Sequence, residues 1–220
     1  MINQIEAHLA LRNRLLGLTV ATTGSTTLTA TRTGYTRAAG SFVTDGFYPG
    51  MEVTPSGFTT NTVDIITRVE ATTLTTKNIH PAEASGGSRT LAVTLPALRS
   101  WENVAFEPVE GRPFIEEEFI PGTSELIAMP FAGGVTEETG LYVVRWYGLP
   151  EYDMTAMRKS VNEVLELFTP GTQVTSGSTT LRVRGDIGPQ ASRIDKTGDG
   201  WVVVTIEVPF IAHAINAIAA

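Results

Sequence analysis

The spacing of apolar positions changes twice along the chain. Over residues 1–18, Ile2, Ile5, Leu9 and Leu16 recur at helical intervals, flanked by His8, Leu11 and Leu15, and predict an amphipathic helix. Asn3 is placed to cap its first turn and Gly17 to stop it. From Thr19 to about Ala97 the period becomes two, as in Val63/Ile65/Thr67/Val69 and Leu91/Val93/Leu95, with turn clusters such as Asp45-Gly46 between the runs. That stretch predicts five or six short strands, a small β-barrel or sandwich, with no helix. From Leu98 onward strands are expected at 103–107, 113–120, 141–147, 180–184 and 201–208. One helix is expected at 151–168, where Met154, Met157, Val161, Val164, Leu165 and Phe168 form the stripe. Pro150 precedes it and Thr169-Pro170-Gly171 ends it.

These elements give an α+β domain from residues 1–18 and 98–220, a mixed or antiparallel sheet with helices packed on it. Residues 19–97 form an inserted all-β domain. No internal repeat occurs at a solenoid period.

Composition sharpens the division. About a quarter of residues 19–97 are Thr, and the five basic and five acidic residues there cancel. The net charge of −7 over 220 residues therefore belongs to 1–18 and 98–220, with 11 basic against 18 acidic. Such a balance argues against wrapping nucleic acid through its phosphates. The chain has no cysteine, which removes disulfides, thiolate metal sites and cysteine nucleophiles. No apolar run is long enough to cross a membrane as a helix. Charges within the first 18 residues argue against a signal peptide or anchor, so a soluble, intracellular-type chain is expected.

Few residues of the chain carry a chemical signature. His8, His80 and His213 are far apart and form no HxH or HxxxH pair; surface or half-buried positions are expected for all three. On a strand, Glu116 and Glu118 share one face while Glu117 takes the other. Paired carboxylates can hold Mg²⁺ or divide acid and base roles, but no histidine, lysine or further carboxylate is nominated beside them. A charged face, solvated or turned to a partner, is the plainer reading. Asp195 to Gly200 begins like a calcium loop, yet the twelfth position is Ile206, so a turn into the last strand explains it. No GxSxG, GxxxxGK[ST] or GxGxxG motif occurs. No enzyme, cofactor or metal site is expected.

The segment from Leu98 resembles a known family. It carries Trp101-Glu-Asn103-Val-Ala-Phe106-Glu-Pro108, then Arg112-Pro-Phe-Ile115-Glu-Glu-Glu-Phe119-Ile-Pro121-Gly122. Gly140-Leu-Tyr-Val-Val-Arg145 follows, then a helix running into Phe168-Thr-Pro-Gly171, and Trp201 before a strand that reaches Val208-Pro-Phe210. In this order the motifs are similar to those of the tail terminator (tail completion) proteins of long-tailed bacteriophages. The likeness covers 98–213 well and 1–18 weakly. Glu117 departs from it, standing where the family more often has an apolar residue, and 19–97 is not part of the minimal family domain.

What the resemblance implies is a virion structural protein without turnover. Six copies form a ring on the end of the tail tube, stop its polymerisation and join the tail to the head connector. The protein would sit at the head–tail junction after assembly in the host cytoplasm. Its partners would be itself, the tube protein and the connector protein, with genomic DNA passing through the bore unbound and no membrane involved. A closed ring needs two complementary faces. Nine of the ten charged residues from Glu102 to Glu138 are acidic, whereas Arg145, Arg182 and Arg184 lie in the more basic second half. Glu116, Glu118, Arg145, Arg182 and Arg184 are therefore the candidate ring-interface or bore residues, surplus acid repelling DNA phosphates. Two other readings stay open: a different ring-forming neck or tube protein, or a binding module in the insertion, with Phe47, Tyr48 and Phe58 as the stacking candidates and core packing expected for at least two of them.

Overall fold

The computed structural model describes residues 2–25, 27–96, 98–102, 104–109, 112–128, 134–150 and 154–215. Helix α1 (Gln4–Leu16) opens the chain, followed by β1 (Ala21–Ser25), β2 (Thr29–Thr31) and β3 (Gly34–Thr36). A one-turn helix α2 (Phe42–Asp45) precedes β4 (Met51–Ser56), β5 (Asp64–Val69), β6 (Thr73–Thr76) and β7 (Arg89–Pro96). Next come β8 (Leu98–Ser100), the long strands β9 (Phe114–Ala128) and β10 (Val135–Gly148), and helix α3 (Met154–Leu167). Five strands complete it: β11 (Gln173–Ser176), β12 (Thr179–Val183), β13 (Gln190–Ala191), β14 (Asp195–Lys196) and β15 (Val202–Ile215).

The strands form two sheets. The first has seven, in the order β1-β7-β4-β5-β6-β3-β2, and every pairing is antiparallel. The second has eight, along the path β11-β12-β15-β10-β9-β8, with β13 and β14 also on β15. Among the described residues only β8 and β9 run parallel, so this sheet is mixed, one of the two arrangements expected. With 46% of the chain in strands and 15% in helices, the protein is mostly β, two large sheets with few helices rather than a balanced α+β fold. Among the described residues, no helix is long and apolar enough to cross a membrane.

Alternation sets the core of the second sheet. Val202, Val204, Ile206, Val208, Phe210 and Ala212 of β15 are buried, and of the residues between them only Pro209 is buried as well. Met157, Val161, Val164 and Phe168 bury the stripe of α3 against this face. Each such large side chain contributes about 1.5–3 kcal/mol.

Helix α1 starts where expected: the Asn3 side chain accepts from the N–H groups of Ile5 and Glu6, and Gly17 ends it. Its buried face is not the expected one. Ala7, Ala10, Leu11 and Leu15 are buried, whereas Ile5, Leu9 and Leu16 are 73%, 39% and 37% exposed. Polar anchors decide the rotation. Glu6 accepts from the Ser178 N–H and the Thr179 hydroxyl, and Arg14 Nε donates to the Leu167 carbonyl. The small Ala7 and Ala10 then face the protein.

Other differences have local causes. Residues 104–107 form no strand, because Val104 N–H turns back to the Trp101 carbonyl; residue 103 lies outside the described residues. Strand β9 continues eight residues past the expected end at Ile120, through Pro121. Phe119 N–H points away from β10 to Glu102, so the Pro121 nitrogen faces the same unpaired edge and no ladder bond is lost. The Thr-rich stretch holds seven strands rather than five or six, and also α2. Ser41 caps that turn and Gly46 ends it at φ 94°, a left-handed conformation that glycine adopts without strain.

Phe47 and Tyr48 are in the core, as expected for at least two of the three stacking candidates: both are 1% accessible, buried where the first sheet meets α3. There the Leu149 N–H donates to the Tyr48 hydroxyl at 3.0 Å, and Lys159 Nζ donates to the Asp45 carbonyl. Phe58 is half-buried, edge-on to Tyr35 and beneath the Arg89 guanidinium. His80 is buried too, 3.0 Å from the buried Asp64 carboxylate.

Candidate functional site

The β9 pleat separates three consecutive glutamates. Glu116 and Glu118 lie on the face away from α3, where the β9–β10 register sets Arg145 opposite Glu116. Arg145 donates to Glu118 at 2.7 Å and stands 3.6 Å from Glu116. The Tyr147 hydroxyl completes the group by donating to Glu116 at 3.0 Å. Burial together with the nearby Glu116 charge pushes the Tyr147 hydroxyl up to about 12. Partial burial works against the Arg145 charge, but Glu118 and Glu116 outweigh it and raise its pKa.

Three of the five candidate residues are thus neighbours within one subunit. Arg145 serves the acidic face itself rather than an opposing basic one. The other two lie across β10 and β15. Arg182 of β12 is exposed, opposite Ile211, and has no ion partner among the described residues. Arg184 follows β12 and is paired with Asp186 at 2.6 Å. The second sheet therefore carries Glu116 and Glu118 around one arginine near its β8–β9 end, and Arg182 with the Arg184–Asp186 pair near its β11–β12 end.

Glu117, on the other face, is 2% accessible. His8 Nε2 lies 3.0 Å from it, the Arg12 guanidinium is hydrogen-bonded to it, and the Tyr142 hydroxyl donates at 2.7 Å. Burial raises the pKa of this carboxyl, but the hydrogen bonds from His8, Arg12 and Tyr142 outweigh it and leave it lowered. Burial and the adjacent Glu117 together raise Tyr142 well above its ordinary value. Glu117 stands out in the sequence as a departure from the family pattern, but its partners do not. The available signal was His8 and Arg12, four apart and interrupting the apolar spacing of α1. Among the described residues, no group of three or more His, Asp or Glu is placed to hold a metal. What the outer face can do is meet a surface of complementary charge.

A protein-family model described as "Phage tail terminator protein" matches residues 87–210. The chain belongs to the phage tail terminator family. The matched segment runs from the turn before β7 to Phe210 of β15, so the terminator sequence pattern holds most of the second sheet and α3. It leaves out α1 and the first six strands. Membership makes the chain a structural protein of the virion tail. No curated protein matches it. A solved structure is 21% identical, covering 54% of this chain and 79% of its own, with a TM-score of 0.42; at that score the overlap adds nothing further.

Proposed function

We propose that this terminator closes into a homohexameric ring on the end of the tail tube. The ring ends tube polymerisation and offers the surface that joins the tail to the head connector, at the head–tail junction of a long-tailed phage. Assembly takes place in the host cytoplasm, and the genome passes through the bore without being bound. Residues 1–18 and 98–220 act as the ring-forming domain, and 19–97 as a domain inserted into it.

One observation carries this reading: the two ends of the second sheet differ in charge. A ring of identical subunits needs a heterologous contact, in which one surface meets a different surface of the next copy. Glu102, Glu116 and Glu118 lie near the β8–β9 end, and Arg182, with the Arg184–Asp186 pair, near the other. Because Arg145 offsets part of the acidic end, the electrostatic contribution is to orientation and approach more than to affinity. Carboxylates left over would line the bore and repel DNA phosphates.

The test is solution mass across a concentration series, with the same samples and purified tail tubes viewed by negative-stain electron microscopy. Six copies of the 23.6 kDa chain weigh about 142 kDa. Rings of that mass, or rings seen on capped tube ends, are expected. A chain that forms no ring alone and caps no tube overturns the proposal.

A further inference from the structure

Beside the Glu116 end of the second sheet is a cavity of about 380 Å³ whose lining includes Phe106, Phe114, Tyr147 and Trp201. Phe114 and Tyr147, opposite each other on β9 and β10, stack with centroids 4.3 Å apart. Trp201 meets Phe114 edge-on at 5.2 Å, and Phe106 leans on it at 5.1 Å. Phe106, Tyr147 and Trp201 are only half-buried, so part of each ring faces the opening. Two carboxylates border the same space, Glu116 and Asp199. Glu116 shares the single cation Arg145 with Glu118, and Asp199, in the turn before β15, has no ion partner among the described residues. A second hollow of about 290 Å³ adjoins through Ser100 and Glu116, and adds Glu102 and Glu118 to the rim.

Aromatic rings beside carboxylates that a single arginine only partly offsets form a receptor for a cation on an apolar stem. The rings attract the charge through their faces, and the carboxylates supply directional acceptors. A planar guanidinium satisfies both better than an ammonium, since it stacks and donates in one plane.

We propose that this cavity takes the guanidinium of Arg182 from a second copy of the chain. The proposal rests on the ring reading and specifies its contact. Arg182 fits on two grounds. It is exposed on the outer side of β12, next to the opposite edge of the same sheet, which head-to-tail closure brings to the next subunit. Its charge also lacks an ion partner among the described residues, unlike Arg184, which is held by Asp186.

Two measurements test it. In the first, N-acetyl-arginine amide is titrated into the protein while the indole N–H resonance of Trp201 is followed. A saturable shift is expected that N-acetyl-alanine amide does not reproduce and that Asp199→Asn with Glu116→Gln abolishes. No shift, or one that persists in that variant, overturns the site. The second uses the absence of native cysteine. Ser100→Cys on the cavity wall and Thr180→Cys, two residues from Arg182 on the same side of β12, should cross-link between copies under mild oxidation. Arg182→Gln and Asp199→Asn should each weaken self-association about tenfold, and the double variant should be no weaker than either. Rings that form equally well from both variants overturn the Arg182 contact and leave the ring standing. A wild type that never assembles overturns the ring, and the occupant of the cavity with it.

Discussion

The carboxylate of Glu117 on β9 lies 3.0 Å from the imidazole of His8 on α1, joining residues 109 positions apart in the chain. Arg12 and Tyr142 hold the same carboxylate, so a buried charge in the family-matched segment fixes a helix that lies outside the match. Such a group is costly to bury alone and costly to abandon once paired. Replacing Glu117 by Ala leaves the Tyr142 hydroxyl without its acceptor and the Arg12 guanidinium without its anion. Because Arg12 retains some contact with water, the expected loss is about 2–4 kcal/mol, read from urea unfolding. Glu117→Gln should lose less than Glu117→Ala, because the amide oxygen still accepts from Tyr142. Equal losses would show that the charge is what matters.

That relationship also marks where the sequence stopped being readable. Strands β10, β12 and β15 and helix α3 could be located because each buries one side of a strict period, as Val202 to Ala212 do. Helix α1 could be located but not oriented. Its apolar residues fall on two stripes, and the choice between them is made by contacts of Glu6, His8, Arg12 and Arg14 with residues more than a hundred positions away. The same holds at the outer face. Alternation alone placed Glu116 and Glu118 together, whereas the pairing of Arg145 with them depends on the β9–β10 register, which no local pattern specifies. Phe47 and Tyr48 could be assigned to the core as aromatics, but not to their partner, because nothing in their own segment announces the approach of α3.

The first sheet contains a group that ties stability to pH. The Glu83 carboxylate accepts from the Thr59 and Thr60 N–H groups, the Asn61 amide and the Thr60 hydroxyl. The Thr59 N–H leads these bonds in lowering its pKa from 4.5 to about 2. A carboxyl lowered in the folded state favours folding above its unfolded value. That contribution disappears as the pH falls through the folded value. Stability should therefore fall between about pH 4.5 and pH 2, followed by urea midpoints over that range. Glu83→Gln should be less stable at neutral pH and show a flatter acid profile. An unchanged slope would remove Glu83 from the acid response.

Gly140 on β10 faces the ring of Phe210 on β15. A Cβ at that position would stand 2.3 Å from Phe210 Cζ and 2.9 Å from the Ile120 carbonyl oxygen. Phe210 is 1% accessible and stacks on Phe119, so its ring has little room to yield. Gly140→Ala should cost about 1–3 kcal/mol through overpacking. Adding Phe210→Leu should recover part of the loss, because the shorter side chain vacates the space that the new methyl needs. Additive losses in a thermal-unfolding cycle would show that the backbone clash with Ile120 dominates.

The Tyr48 hydroxyl reaches from the first sheet to the Leu149 N–H at the end of β10, in a setting where both residues are buried. Tyr48→Phe keeps the ring and removes the acceptor, which leaves a buried backbone donor unpaired. The expected cost is about 1–3 kcal/mol. The manner of the loss separates two kinds of seam between the sheets. If the two unfold as one unit, fluorescence of Trp146 in the second sheet and hydrogen exchange in β4 and β5 should weaken together. If the hydrogen bond serves only the seam, exchange should rise at 148–149 and around α2 while the Trp146 transition stays where it was. The Lys159 contact with the Asp45 carbonyl supports the first outcome, because it crosses the same seam from α3 and keeps the two sheets joined when one bond is removed.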